Sequence, residues 1–288
     1  MTATGTVVAA YGRQYRVELA DGATVLCVPR GKKSELVCGD GVRIERLDSQ
    51  QGVIETLVPR KSLLYRSEPG REKLIAANVT QIVIVVATDP PFSDELITRC
   101  IVAAESQGIA VLIVLNKCDL EDRLAAAAAL LAPYERLGYR VLRLTARRDA
   151  SPLTEHLSHH LSLLIGQSGM GKSTLINALV PGAHAPTREL SHSLQTGKHT
   201  TTHARLYRPN RHAAIIDSPG LTAFGLHHLS SSEIAQSFIE LRPLLGSCRF
   251  RNCRHDREPD CGVQAALSRG EIDPRRFAAF RALCAEIN

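Results

Sequence analysis

Two short stretches of this 288-residue chain carry the residue types that handle a nucleoside triphosphate. In LIGQSGMGKSTLI, residues 164–176, Gly166, Gly171, Lys172 and Ser173 fit G-x-x-x-x-G-K-[ST], with an apolar strand before the loop and a helical stretch after it. Glycine is needed there because the backbone must curl with its N–H groups turned inward around phosphate oxygens, at the positive end of the following helix. The run Gly166, Gln167, Ser168, Gly169, Met170, Gly171, Lys172, Ser173 and Thr174 is therefore the expected phosphate cradle. Lys172 is placed to bridge the β- and γ-phosphates, and Ser173 to offer its hydroxyl to Mg2+. Further on, DSPG at 217–220 follows the apolar run HAAIID. Asp217 thus stands at a strand end where a carboxylate holds magnesium, and Gly220 can turn its N–H toward the γ-phosphate.

NKCD, residues 116–119, follows the strand-like AVLIVL. Its Asp119 can accept two hydrogen bonds, from N1 and from the exocyclic amino group of guanine. Adenine has no such donor pair and would leave the carboxylate unpaired, so the motif predicts GTP rather than ATP. Asn116 is expected to brace the phosphate loop and Lys117 to lie over the base. Ala146, in LTA at 144–146, is expected to give the base its backbone N–H. These base-reading segments precede the phosphate loop, which rotates the usual GTPase order. The termini of a compact domain often lie close together, so joining them and cutting elsewhere leaves the packed sheet intact. The expected fold is a circularly permuted P-loop GTPase, with new ends after DSPG and before QIVIVVAT.

Many GTPases carry a Gln directly after D-x-x-G to orient the attacking water, whereas this chain has Leu221, which cannot hydrogen-bond. GKHTTTH, residues 197–203, occupies the switch I position between the phosphate loop and DSPG. Thr201, with Thr202 as the close alternative, is the expected magnesium ligand there. His199 is the candidate for holding the water, because imidazole does so near neutral pH. Lys172, Thr201 and His199 form the expected catalytic set.

The elements that must position these residues are readable from periodicity. Five alternating runs, GTVVAAYG, QYRVELA, ATVLCVP, GVRIERL and QGVIETLV, are separated by Gly and Asp turn signals and predict a small β-barrel. An OB-type barrel, a fold that commonly binds nucleic acid, is one candidate; a barrel that only scaffolds its neighbour is the other reading. A basic turn with Arg30, Lys32 and Lys33 favours binding. RKSLLYRSEPGREKL reads as a polar connector. Beyond it, near-continuous apolar strands alternate with helices from QIVIVVAT to YRVLRLTA, the pattern of a parallel sheet covered on both faces, and LSLLI and HAAIID add further strands. From about residue 226 short helices surround a cysteine-rich knuckle. The expected domains are 1–67, 68–225 and 226–288.

In the knuckle, Cys248, Cys253, His255 and Cys261 supply three thiolates and one imidazole, a complete tetrahedral set for Zn2+ with no open position, hence a structural site. So small a piece buries little core, and a metal would help it fold. Arg249, Arg251, Arg254 and Arg257 flank the ligands, so folding would gather positive charge on one surface, for phosphate binding or as a solvated face. Cys27, Cys38, Cys100, Cys118 and Cys284 read as buried small hydrophobes.

A β-barrel, then NKCD, GQSGMGKST, GKHTTT and DSPG, then C-x4-C-x-H-x5-C, resembles the RsgA family of circularly permuted bacterial GTPases, which act in small ribosomal subunit biogenesis. The likeness covers nearly the whole chain, with LTA a loose match and Cys118 at a variable position. It implies a multidomain α/β protein: an N-terminal OB-type β-barrel, a central circularly permuted P-loop GTPase and a C-terminal helical zinc-binding domain. It further implies that these grip the 30S subunit and 16S rRNA during late maturation, with the subunit stimulating hydrolysis of GTP to GDP and phosphate. One structural zinc, and magnesium with GTP, are the implied cofactors.

Thirty-five Lys and Arg against 29 Asp and Glu give a net charge of +6, which suits a polyanionic partner. The N-terminus carries no charged and apolar leader, and the apolar stretches, IVIVVA and the alanine-rich LAAAAALLA among them, are too short to span a bilayer. The protein is accordingly expected to be cytoplasmic, away from membranes, and monomeric. Two other functions compete: a binding module whose GTP only locks its shape, and a P-loop phosphotransferase, which the guanine-reading NKCD disfavours.

Overall fold

The computed structural model describes residues 2–31, 35–68, 71–185, 204–218 and 224–287. The five alternating runs form β1 (Thr2–Tyr11), β2 (Gln14–Leu19), β3 (Thr24–Pro29), β4 (Gly41–Arg46) and β5 (Gln51–Leu57). They pair in the order β1-β2-β3-β5-β4, and β4 returns to β1, so the sheet closes on itself. Alternation decides what fills the barrel. Tyr15, Val17 and Leu19 of β2, Val25 and Cys27 of β3, and Val42 and Ile44 of β4 all point inward, and their odd-numbered or even-numbered neighbours face out. The basic turn expected to favour nucleic acid is partly neutralised: Arg30 pairs with Glu45 at 2.9 Å and Glu55 at 2.8 Å, while Lys32 and Lys33 lie outside the described residues.

β1 belongs to two structures. Its first half pairs β4, its register with β2 shifts between Val7 and Ala9, and beyond that shift Ala9 pairs with Arg205 of a strand in the central sheet. A bulge of this kind re-aims a strand. Barrel and central sheet therefore run into one another as an 11-stranded sheet.

The stretch expected to be a polar connector is instead a hairpin, β6 (Leu63–Glu68) against β7 (Arg71–Ala77). Leu64, Ile75 and Ala76 are buried, and Gln107 brackets the hairpin by accepting from the Leu63 N–H at 2.8 Å and donating to the Leu63 carbonyl at 2.9 Å. Apolar residues at both ends of a polar middle were enough to pair the two arms.

The central unit runs β8 (Gln81–Ala87), α1 (Asp94–Glu105), β9 (Ala110–Asn116), α2 (Glu121–Arg136), β10 (Arg140–Arg143), α3 (Pro152–Leu157), β11 (Leu161–Ile165), α4 (Lys172–Leu179), β12 (Arg205–Asn210) and β13 (Ala213–Asp217). In space the order is β10-β9-β8-β11-β13-β12, all parallel except β12. Strands β8, β9 and β10 step one way across the sheet, and β11 starts the other half beside β8. A crevice opens where such order reverses, outside the carboxyl ends of the strands.

The C-terminal part contains α5 (Ser231–Ser237), a 3-10 turn at Arg242–Leu244, α6 (Gly262–Ser268) and α7 (Pro274–Ile287). The last helix is longer than the short helices expected, and its face at 276, 280 and 283 is buried, the helix packing on α5 and on α1 of the central unit. At the centre of that contact lies a buried arginine. Arg276 is 1% exposed and grips Glu240, itself 5% exposed, at 2.7 Å and 3.4 Å. Its guanidinium also donates to Thr98 Oγ1 of α1 at 3.2 Å and lies over the Phe238 ring at 4.4 Å. Removing one partner of a buried pair leaves an uncompensated charge, which costs about 3–5 kcal/mol. Arg276→Ala is expected to lower stability by that order in denaturant titration, and Arg276→Met with Glu240→Leu to recover most of it. A loss below about 1 kcal/mol in the single variant, the range of exposed pairs, would mean the pair is not sealed from water.

Candidate functional site

All the motif residues that the structure describes sit at the carboxyl edge of the central sheet: Asn116 ends β9, Gly166 follows β11, Asp217 ends β13, and the LTA turn follows β10. Each buried strand places its motif at the same height, so residues far apart in sequence converge on the crevice beside β8 and β11.

Asn116 is the joint. Its side chain, 2% exposed, donates to the Met170 carbonyl of the phosphate loop at 2.9 Å and accepts from the Ala146 N–H at 2.9 Å. Gly171 completes this contact. It has φ +97°, and a Cβ there would lie 2.2 Å from Asn116 Nδ2. At the other end of the loop, a Cβ on Gly166 would meet the Val85 carbonyl oxygen at 2.2 Å. Both pattern glycines are thus fixed by close approach of neighbouring chain.

Around the base-reading motif, Lys117 adopts φ +59°, its Nζ donates to the Asp89 carbonyl at 2.6 Å, and Thr88 Oγ1 donates to its carbonyl at 2.8 Å. Asp119 is exposed and accepts from Thr145 Oγ1 at 3.3 Å, so the middle residue of LTA steadies the carboxylate. Thr145 was missed by sequence reasoning, which looked only at the backbone N–H that follows it.

In the phosphate loop, Lys172 Nζ donates to the Gly166 carbonyl at 2.6 Å and the Gln167 carbonyl at 3.1 Å. Burial pushes the Lys172 ammonium below its ordinary value, opposed by the charge of Asp217. Burial likewise pushes the Asp217 carboxyl up, opposed by Lys172. Gln167 Oε1 accepts from the Ser93 N–H at the start of α1 at 3.2 Å, a link that no motif announces. Ser168, Gly169, Ser173 and Thr174 complete the loop and the first turn of α4. His199, Thr201, Thr202, Gly220 and Leu221 lie outside the described residues.

The knuckle brings its four ligands together: their donor atoms all lie within 4.8 Å of one another. His255 Nδ1 is 3.4 Å from Cys248 Sγ and 3.5 Å from Cys261 Sγ, and the two sulfurs are 3.8 Å apart. A tetrahedron with metal–sulfur bonds of about 2.3 Å has sulfur–sulfur edges of about 3.8 Å, so the donors fit zinc. Supports are local. Gln264 Nε2 donates to the His255 carbonyl at 2.8 Å, and Cys261 Sγ caps α6 by accepting from the Gln264 N–H at 3.5 Å. Glu258 accepts the backbone N–H groups of Arg254, Asp256 and Arg257, which hold its carboxyl down at about 2. Of the flanking arginines, Arg249 pairs with Asp260 at 3.1 Å, and all four are exposed. Of the remaining cysteines, Cys27, Cys38 and Cys100 are buried as expected, whereas Cys118 and Cys284 are half-buried.

Replacing Asn116 with Ala would leave the Ala146 N–H and the Met170 carbonyl without their partner, each at a cost of about 1–3 kcal/mol. Asn116→Ala and Gly171→Ala are expected to weaken guanine-nucleotide binding by at least about tenfold, the equivalent of 1.4 kcal/mol. Titration with a fluorescent GDP analogue checks this. Unchanged affinity in both variants would mean that the loop holds its shape without the carboxamide.

The RsgA GTPase family model matches residues 57–227. The chain is 54% identical to the small ribosomal subunit biogenesis GTPase RsgA of Nitrosospira multiformis, over 99% of this chain and 91% of that one. It is 52% identical to the protein of the same name from Nitrosomonas europaea, covering 97% and 90%. Among solved structures, YjeQ from Thermotoga maritima superposes with a TM-score of 0.78 at 30% identity, covering 100% of this chain and 99% of that one. YloQ, described as a circularly permuted GTPase, shares the fold with a TM-score of 0.74 at 23% identity over 100% and 95%. With the permuted order of its motifs and this degree of identity along its whole length, the chain belongs to the RsgA GTPase family.

Proposed function

We propose that this protein is a GTPase that binds the 30S subunit and 16S rRNA, assists late maturation of the small subunit, and is stimulated by that subunit as it hydrolyses GTP to GDP and phosphate. The observation that carries the reading is the Asn116 carboxamide, which holds a guanine-reading motif and a phosphate loop in one crevice. The names of the relatives support the partner. No helix among the described residues is long and apolar enough to cross a membrane, and the cytoplasm and a monomeric state are part of the proposal.

In this reading residues 1–67 form the barrel domain, 68–225 the GTPase domain and 226–288 the zinc-binding domain. Asp119 reads guanine, Lys117 covers its face, and the Ala146 N–H contacts its edge. Gly166, Gln167, Ser168, Gly169, Met170, Gly171, Lys172, Ser173 and Thr174 surround the phosphates, with Gly220 at the γ end. Ser173, Asp217 and Thr201 would hold magnesium, which when bound neutralises charge on the β and γ oxygens. Lys172 adds a second positive charge there. Cys248, Cys253, His255 and Cys261 would hold one structural zinc, keeping the knuckle folded. His199 positions the attacking water, the role that Leu221 leaves open.

Hydrolysis of GTP and ATP measured side by side, with and without purified 30S particles, tests the function. GTP turnover that is slow alone, faster with the particles, and far above ATP turnover is the expected result; equal use of ATP, or no response to the particles, would overturn it. His199→Ala is expected to keep GTP affinity and subunit binding while losing most of the stimulated rate. Full stimulation in that variant would give the water to the ribosome or to another residue. Asp119→Asn presents an amide N–H where the exocyclic amino group of guanine also donates, and the 2-oxo group that xanthine carries in its place accepts. Its preference is expected to move from GTP toward xanthosine triphosphate, and a competition assay that still favours GTP as strongly would remove Asp119 as the base reader.

A further inference from the structure

At the amino ends of β11 and β13, on the edge of the sheet away from the nucleotide loops, the barrel and the sheet enclose a cleft of about 540 Å3. Thr6, Gly39 and Gly41 form its barrel wall. Among the described residues, the charged and titratable ones that line it are His159, His160, Arg208, Arg211 and His212, with no carboxylate. Glu18 of β2 reaches Arg208 from the barrel. On α3, His156 is 3.3 Å from Arg140 and faces elsewhere.

The cluster is built. His159 sits in the left-handed region at φ +64°, where its N–H donates to the His212 carbonyl at 2.7 Å, and the two imidazoles lie 5.3 Å apart. A non-glycine residue held there costs energy, so the chain retains a strained turn that brings two histidines side by side, their rings tilted by 45°. Arg211 Nε donates to His212 Nε2 at 2.9 Å, leaving the His212 ring proton on Nδ1. Thr80 Oγ1 accepts from the Leu161 N–H at 3.0 Å and stands 3.1 Å from His160 Nδ1. That hydroxyl can donate to Nδ1, which leaves the His160 ring proton on Nε2. Burial, then the neighbouring His159, lower His160 from the ordinary histidine value.

With Arg208 engaged by Glu18 of β2, Arg211 and the three imidazoles are the groups left to hold an anion, and as the imidazoles protonate an anion between them offsets their mutual repulsion. Guanidinium and imidazole N–H groups are phosphate donors. His159, Arg208, Arg211 and His212 are exposed, so the groove is open along its length and suits a chain lying across it more than an enclosed small molecule. Among the described residues no Phe, Tyr or Trp lines it, so these offer no stacking platform for bases. We propose that this cleft binds the phosphodiester backbone of RNA, without base reading, as a second anion site on the opposite edge of the sheet from the GTP site. The proposal rests on the ribosomal reading above. A bound phosphate favours imidazolium over the neutral ring, so the complex takes up protons and affinity rises as pH falls.

The test uses the full-length protein, a labelled 20-nucleotide polyuridine RNA and purified 30S particles, with binding measured at pH 6 and pH 8 and over a salt series. Arg211→Gln with His212→Gln, and separately Arg208→Gln, are compared with the parent. Tighter RNA binding at pH 6 than at pH 8 is expected in the parent. The double variant is expected to bind about tenfold more weakly, with a salt slope smaller by about one, a flattened pH response and unchanged basal GTP hydrolysis. Arg208→Gln is expected to weaken binding while keeping the pH response. Parent-like RNA affinity and salt slope in both variants would leave the cleft a solvated basic face and overturn the proposal, while subunit binding by the parent would leave the ribosomal reading standing. Complete displacement of RNA by millimolar inorganic phosphate with no salt-slope change would reassign the cleft to free phosphate. A parent that binds neither RNA nor 30S particles would overturn both.

Discussion

A single carboxamide holds the nucleotide crevice together. Asn116 spends its donor on the Met170 carbonyl and its acceptor on the Ala146 N–H, in a place almost closed to water. Inside a protein such bonds have no solvent to replace them, so breaking either one costs more than the same bond at the surface. The contact is indifferent to chain order. Whether the phosphate loop comes before or after NKCD, β9 and β11 flank β8 and deliver the two motifs to the same edge. This is why a permutation that rotates the sequence of the motifs can leave the chemistry of the site in place.

The same sheet ties the flanking units to the site. Cys38 at the exit of the barrel gives its thiol proton to the Ala204 carbonyl at 3.1 Å, next to the β1 to β12 pairing at Ala9 and Arg205. β12 begins just after GKHTTTH and turns back into β13, which ends at Asp217. The barrel is therefore anchored on the strand that separates the two switch motifs in the sequence. From the other unit, Arg276 of α7 reaches Thr98 of α1, and the first turn of α1 touches Gln167 through the Ser93 N–H. Barrel and helical unit each contact an element that in turn contacts the crevice.

What could be read from the sequence was whatever depends on local pattern. Period-two alternation located all five barrel strands, and motif spacing pointed to Asn116, Gly171, Lys172 and the cluster of Cys248, Cys253, His255 and Cys261, because phosphate and metal geometry call for residue types at fixed separations. What escaped depends on distant partners. β12, RLYRPN, holds a proline and several polar residues and is a strand only because β13 and β1 flank it. The β6–β7 hairpin looked polar because its apolar residues lie at its two ends. Arg276 reads as a solvent-facing helix residue until Glu240, 36 positions earlier, is seen beside it. The basic cleft draws its residues from the α3–β11 turn, β12 and the β12–β13 turn, and nothing in their spacing links them.

The electrostatics of the phosphate loop follow from this architecture. Strand ends that converge on one crevice also carry Lys172 and Asp217 out of water, and burial disfavours the charged form of both. Each charge partly compensates the other, and Lys172 adds bonds to two carbonyls of its own loop. Lys172 is turned onto its own loop carbonyls, so its ammonium must exchange those two bonds for any anion that enters the loop, while its desolvation is already in place. The price of that arrangement is borne by the fold, through the packing of β8, β11 and β13 and the one carboxamide that keeps the loop open.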